Sequence, residues 1–126
     1  MKFERTYMKC DTCGNLIGMI NDSGVVLECC GKPMRHLTPN TVDAAREKHL
    51  PEIKRDANTV AVTVGSVKHP MTQEHHIEWI ALVQGNQTQR IALSPSDQPE
   101  AVFACGSGSV VVYAYCNLHG LWVSEQ

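Results

Sequence analysis

Four cysteines stand in the first thirty positions, as Cys10-x2-Cys13 and then the adjacent pair Cys29-Cys30. Four thiolates at these spacings are a complete donor set for one ion, and an all-sulfur tetrahedral site selects zinc or iron. Gly14, directly after Cys13, lets the chain fold back so that both sulfurs aim at one point. The adjacent pair is less usual. Neighbouring residues in extended backbone point to opposite sides, so Cys29 and Cys30 reach one ion only if the chain turns there. Gly31 and Pro33 allow that turn, which draws the S–metal–S angles away from the tetrahedral value. A closed zinc site that only holds the segment together is as compatible with the spacing as iron. Disulfides fit less well, because Met1 to Arg5 show no secretory signal.

A second set of donors lies further along: His49, His69, His75, Cys116 and His119. An extended chain from His69 to His75 would reach roughly 20 Å, too far for two ligands of one metal. Pro70 and Thr72-Gln73 supply the turn that folds it back, and Cys116-Asn117-Leu118-His119-Gly120 reads as a tight turn with its two donors three apart. Imidazole suits several metals, but a thiolate added to four imidazoles is more selective. Five protein donors exceed the four of structural zinc and the three of catalytic zinc. They suit a metal of octahedral habit with one open position, and iron is the natural candidate. An open position on a redox metal binds a small molecule. His36 and His76 read as ordinary loop or strand residues, and Cys105 as a small buried hydrophobe.

These donors need elements to carry them. The chain has 126 residues, 43% hydrophobic and 19% charged, with net charge -2. That suits a soluble globular protein and offers no basic field for nucleic acid or an anionic membrane. No apolar run is long enough to span a bilayer. Residues 1–37 carry too few apolar side chains for a self-sufficient core, so the metal must supply the missing stability. Leu16 to Ile20 and Val25 to Leu27 read as two short strands around an Asn21-Asp22-Ser23-Gly24 turn. Residues 38–126 open with a linker at Thr38-Pro39-Asn40 and a helical turn over Val42 to Lys48, capped by Thr41 or Asp43 and stopped by Pro51. From Asn58 onward, alternating Val60, Val62 and Val64, then Ile77 to Val83, Gln89 to Leu93, Ala101 to Cys105 and Val110 to Tyr115, read as strands of an antiparallel sandwich. The expected class is all-β, a small metal-bound domain at 1–37 followed by a β-sandwich at 38–126.

With the motifs assembled, the chain resembles the desulfoferrodoxin family. Cys10-x2-Cys13 with Cys29-Cys30 is similar to a desulforedoxin-type, rubredoxin-like iron module. Glu47-Lys48-His49, Val67-Lys68-His69-Pro70-Met71, His75, Ile77-Glu78-Trp79-Ile80 and Cys116-Asn117-Leu118-His119-Gly120 resemble a superoxide reductase, or neelaredoxin-like, domain. The lack of a signal-peptide pattern at Met1 to Arg5 makes a cytoplasmic location the default expectation. The resemblance implies a seven-stranded immunoglobulin-like sandwich, a homodimer and two irons per chain. One iron belongs to the four-cysteine site. The other is ferrous and square-pyramidal, with His49, His69, His75 and His119 equatorial, Cys116 axial and the opposite position open. The implied reaction is one-electron reduction of superoxide to hydrogen peroxide, with a rubredoxin-like electron donor. Lys48 then attracts the substrate anion and assists its protonation, and Glu47 caps the oxidised iron. Backbone N–H groups of Leu118 and His119 would reach the Cys116 sulfur and tune it. Three other readings stay open: a non-enzymatic electron-transfer protein with saturated irons, a zinc-stabilised binding module, and a dismutase.

Overall fold

The computed structural model describes residues 6–126. Among these the chain forms two compact units, one reaching to Thr38 and the other Pro39–Gln126.

The first unit contains β1 (Thr6–Lys9), β2 (Leu16–Met19), β3 (Glu28–Cys29), β4 (Lys32–Pro33) and β5 (Arg35–His36). Its sheet runs β2-β1-β5, antiparallel throughout, with β3 and β4 forming a separate hairpin. Its apolar centre is Met8, Cys10 and Met34, flanked by Ile17, Met19, Leu27 and Cys29. Half of the expected hairpin is absent. β2 pairs with β1, and Val25 to Leu27 form no strand, with Val25 and Val26 at 68% and 62% exposure. The reason is burial. Tyr7 and Met8 of β1 are buried and pair with Gly18 and Ile17 of β2, whereas Val25 and Val26 stay exposed and pair with no strand among the described residues.

The second unit contains α1 (Arg46–His49), β6 (Pro51–Arg55), β7 (Thr59–Val64), β8 (Ile77–Gln84), β9 (Gln87–Ala92), β10 (Glu100–Ala104), β11 (Val111–Cys116) and β12 (Gly120–Glu125). Seven strands make two antiparallel sheets, β10-β7-β6 and β12-β11-β8-β9, the immunoglobulin-like sandwich expected. Between them lie Val60, Val62 and Val64 of β7, Ile77, Ile80 and Leu82 of β8, Phe103 of β10, and Val112, Ala114 and Cys116 of β11. The period-2 alternation of β7 is what aims its three valines inward. β6 was not legible because it is an edge strand that opens on proline and carries one apolar residue, Ile53.

The helical turn is shorter than its spacing suggests. α1 spans four residues, its N-cap is Ala45, and neither Thr41 nor Asp43 caps it. Asn40 accounts for this by tying the approach to β12. Its backbone N–H donates to Leu121 O (3.0 Å), its Nδ2 donates to Val123 O (3.1 Å), and its Oδ1 accepts from Val123 N–H (2.9 Å). The chain therefore enters alongside a strand and coils only at Arg46. No helix among the described residues is long and apolar enough to cross a membrane.

Candidate metal centres

The sandwich presents its donors from loops and strand ends at one place. His49 ends α1, His69 and His75 come from the segment between β7 and β8, and Cys116 and His119 flank the β11–β12 turn. The four imidazoles stand around a square in the order His49, His69, His75, His119. Neighbouring rings are 4.7, 4.5, 5.0 and 5.0 Å apart and lie edge to face at 76° to 88°, whereas the diagonal pair His49 and His75 is 6.4 Å apart. Donor atoms of His49, His75, Cys116 and His119 all lie within 4.8 Å of one another. His69 falls outside that mutual limit but keeps its Nε2 3.2 Å from His49 Nε2.

Two hydrogen bonds decide which nitrogens face the centre. His49 Nδ1 lies 2.7 Å from the Ala45 carbonyl and His69 Nδ1 lies 2.7 Å from the Pro70 carbonyl. A carbonyl only accepts, so both Nδ1 atoms carry the proton and both Nε2 atoms turn bare lone pairs inward. Those lone pairs face each other at 3.2 Å, and His119 Nδ1 approaches His49 Nε2 to 3.2 Å as well. Protonation does not relieve the crowding. Burial depresses the pKa of His49 and His75 and lowers that of His69 to about 4, with the neighbouring imidazoles adding to the effect. His75 Nε2 is buried without any partner. Facing lone pairs and an orphaned buried nitrogen are what a metal cation satisfies.

Cys116 is fully buried, and burial pushes its thiol pKa up, while the backbone N–H groups of Leu118 and His119 pull the other way. The His119 N–H donates to Sγ at 3.4 Å. Lys48 and Glu47 are exposed on α1, next to buried His49. The Lys48 charge contributes to lowering the pKa of both His49 and His75, so its field reaches across the square.

The four cysteines of the first unit also converge. Gly14 takes a positive φ and donates its N–H to Cys10 O at 2.9 Å, closing the turn that carries Cys10 and Cys13. Cys30 and Gly31 both have positive φ, 55° and 74°, between paired residues Cys29 and Lys32. This is the two-residue hairpin loop whose twist suits β-strands, and it turns adjacent cysteines to one side. Cys13 and Cys29 Sγ are 3.6 Å apart and Cys29 and Cys30 Sγ 3.9 Å. Bonds led by the Cys13 backbone N–H lower the Cys10 thiol pKa to about 6, while bonds with Cys13, Cys10 and Cys29 push Cys30 up to about 12. One thiol ionises readily and the last resists, so four thiolates coexist only around a cation.

Three supporting residues escaped the spacing arguments. Trp122 is fully buried, stacks on the His49 ring at 4.9 Å and donates Nε1–H to His119 O at 3.1 Å. Gly65 sits beneath α1, where a Cβ would lie 2.6 Å from the Glu47 carbonyl oxygen. That same oxygen accepts from Val67 N–H (2.9 Å) and Ser66 Oγ (3.2 Å), so residues 65–67 grip the turn that carries Lys48 and His49. Asn117 lies between the Cys116 and His119 donors and bonds to the neighbouring loop. His36 is exposed on β5, His76 bonds Thr72 O through Nδ1 in a turn ahead of β8, and Cys105 is half-buried against the sandwich core.

A small four-thiolate unit joined to an all-β sandwich that carries four imidazoles and a thiolate defines a two-centre, non-haem iron protein. Residues 41–125 match the family described as desulfoferrodoxin, and the chain belongs to that family. It is 50% identical over 117 residues to desulfoferrodoxin of Syntrophotalea carbinolica, and 47% identical over 117 residues to that of Nitratidesulfovibrio vulgaris. Each alignment covers 93% of this chain and 93% of the relative. Among solved structures, the superoxide reductase from Treponema pallidum matches with a TM-score of 0.78 and 35% identity, over 97% of this chain and 99% of that one. The cofactor the family implies is iron, one ion at each centre, and both donor sets fit it.

Proposed function

We propose that this chain is a superoxide reductase, which combines superoxide with one electron and two protons and releases hydrogen peroxide. One observation carries the reading: four imidazoles in a square with a buried thiolate beside them, one donor more than structural zinc takes. His49, His69, His75, His119 and Cys116 would hold the iron, which would supply the electron for the reduction, with the Cys116 sulfur tuning its donation.

The chain's own groups do the rest. The Nδ1–H bonds of His49 and His69 lock their rings with the lone pairs inward. Trp122 closes one side of the His49 ring to water. The N–H groups of Leu118 and His119 draw charge from the Cys116 sulfur and moderate its donation. Lys48, exposed beside the square, attracts the superoxide anion and holds the proton source at its Nζ. Glu47, one residue earlier, offers a carboxylate to the open face once the product has left.

Residues 1–37, with Cys10, Cys13, Cys29 and Cys30, form a second iron domain that passes or stores electrons for residues 38–126. A rubredoxin-like protein is the proposed donor and a homodimer the proposed assembly. The cytoplasm is the proposed compartment, consistent with six unpaired cysteines.

Rapid mixing of the reduced protein with superoxide tests the activity. The expected yield is one peroxide per superoxide without oxygen release. Oxygen release matching the peroxide would make it a dismutase, and decay no faster than spontaneous would leave an electron carrier.

A further inference from the structure

We propose that Asn117 is a positioning residue that locks the His75 loop to the Cys116–His119 turn and so sets where His75 stands in the square. The proposal rests on reading the five donors as one iron site, which the wild-type spectrum tests separately.

The rings of the square are not held alike. His49 and His69 each have a private tether from Nδ1 to a backbone carbonyl. His75 has none among the described residues, and its Nε2 faces inward without a partner. It also follows an exposed stretch, Thr72, Gln73 and Glu74. Something other than its ring must hold it.

The backbone around His75 is held from two directions. From within the loop, Thr72 N–H donates to His75 O (2.9 Å) and His75 N–H donates to Thr72 Oγ1 (3.1 Å). From across the site, the Asn117 carboxamide spans the residue. Its Oδ1 accepts from His76 N–H at 2.9 Å, its Nδ2 donates to Glu74 O at 2.9 Å, and its backbone N–H donates to His76 O at 3.2 Å. The two side-chain bonds bracket residue 75, one on each side. Only a carboxamide presents an acceptor and a donor side by side in this way. Asn117 is also the residue directly after Cys116 and two before His119. One side chain therefore couples three of the five donors. Without it the loop keeps its internal Thr72 turn but loses its register against the sulfur.

The test uses the full two-iron protein, whose four-cysteine centre serves as an internal control. Asn117→Ala removes both side-chain bonds. Asn117→Asp keeps the acceptor for His76 N–H and loses the donor to Glu74. The expected result for Asn117→Ala is iron release from the histidine centre faster by about 10- to 100-fold, the usual cost of losing a partner behind a ligand. The ferric thiolate absorption of that centre shifts, while the four-cysteine band and the thermal transition of the sandwich stay in place. Asn117→Asp falls between wild type and Asn117→Ala. In metal-free protein, the His76 amide exchanges faster in Asn117→Ala and remains protected in Asn117→Asp. Unchanged iron release and an unchanged ferric spectrum in Asn117→Ala would overturn the proposal. So would loss of iron from both centres together, which marks a general structural role. If Asn117→Ala does not fold, Asn117→Asp decides: iron release at the wild-type rate rejects the proposal, and faster release with normal His76 protection supports it.

Discussion

The two units place their donors by opposite means. In the first, the buried cluster among the described residues is Met8, Cys10 and Met34, with Tyr7 buried beside Met8 on β1, and Cys10 is itself a donor. In the second, twelve buried residues make a core between two sheets, and the donors are carried at the ends of its strands and in its loops. Only Cys116 belongs to both that core and the donor set. The difference teaches a rule of construction. Where apolar burial is scarce, binding the metal is part of folding. Where burial is ample, the fold forms first and the site is a feature added to it, open to a substrate.

Stripping the metal gives the largest effect and the sharpest way to break this contrast. Removing both irons with a chelator under reducing conditions should unfold the first unit, since structural metal in small domains contributes on the order of 10 kcal/mol. The second unit should stay folded. Amide exchange separates them: Tyr7 and Met8 lose protection while Val62 and Ile80 keep it. Protection retained in β1 would show that the small centre suffices alone.

Truncating the sandwich core comes next. Ile80 is fully buried, so Ile80→Ala should cost about 2–5 kcal/mol, lowering the thermal midpoint of the sandwich. The four-cysteine absorption should survive at temperatures where the sandwich has melted. A single transition taking both would end the idea of separate stabilisation.

Acid sharpens the same contrast in metal-free protein, with a smaller effect. Burial lowers the His69 pKa from 6.5 to about 4, and those of His49 and His75 move the same way. Between these limits the unfolded chain binds protons that the folded sandwich refuses, so stability is full above 6.5 and falls as pH drops toward 4. Chemical denaturation of metal-free protein at a series of pH values checks the sign. Stability flat over that window would mean the histidines are solvated without metal.

The smallest effect on stability falls on Lys48→Ala, whose side chain is exposed. Melting should not move, and iron content should be normal. The second-order rate with superoxide should drop roughly tenfold and lose most of its salt dependence, because steering acts through long-range charge. An unchanged rate and salt slope would remove Lys48 from the reaction.

Much of this could be read before folding. The alternation of Val60, Val62 and Val64 placed β7, and the spaced apolar runs placed β8 to β11 within a few residues, because a half-buried strand has a period of two. Edge elements were harder. β6 and β1 show little alternation and exist because a neighbour pairs with them, while Val25 and Val26 had strand propensity and no partner to use it. The helical turn was overextended because the tie of Asn40 to β12 joins residues 83 positions apart in the chain.

Residue type and short-range spacing were enough to single out nine candidate donors, since which atoms can bind metal is a matter of chemistry that each side chain carries with it. The Cys30-Gly31 turn was equally local, because a two-residue hairpin loop needs nothing beyond its own backbone. The cyclic order of the imidazoles, the choice of Nε2 over Nδ1 in His49 and His69, and the bracing of His75 by Asn117 were not available in that way. The choice of nitrogen rests on bonds only four positions and one position away, but the cyclic order and the bracing turn on distances between residues 20 to 70 positions apart, which exist only once two sheets have closed on a common core.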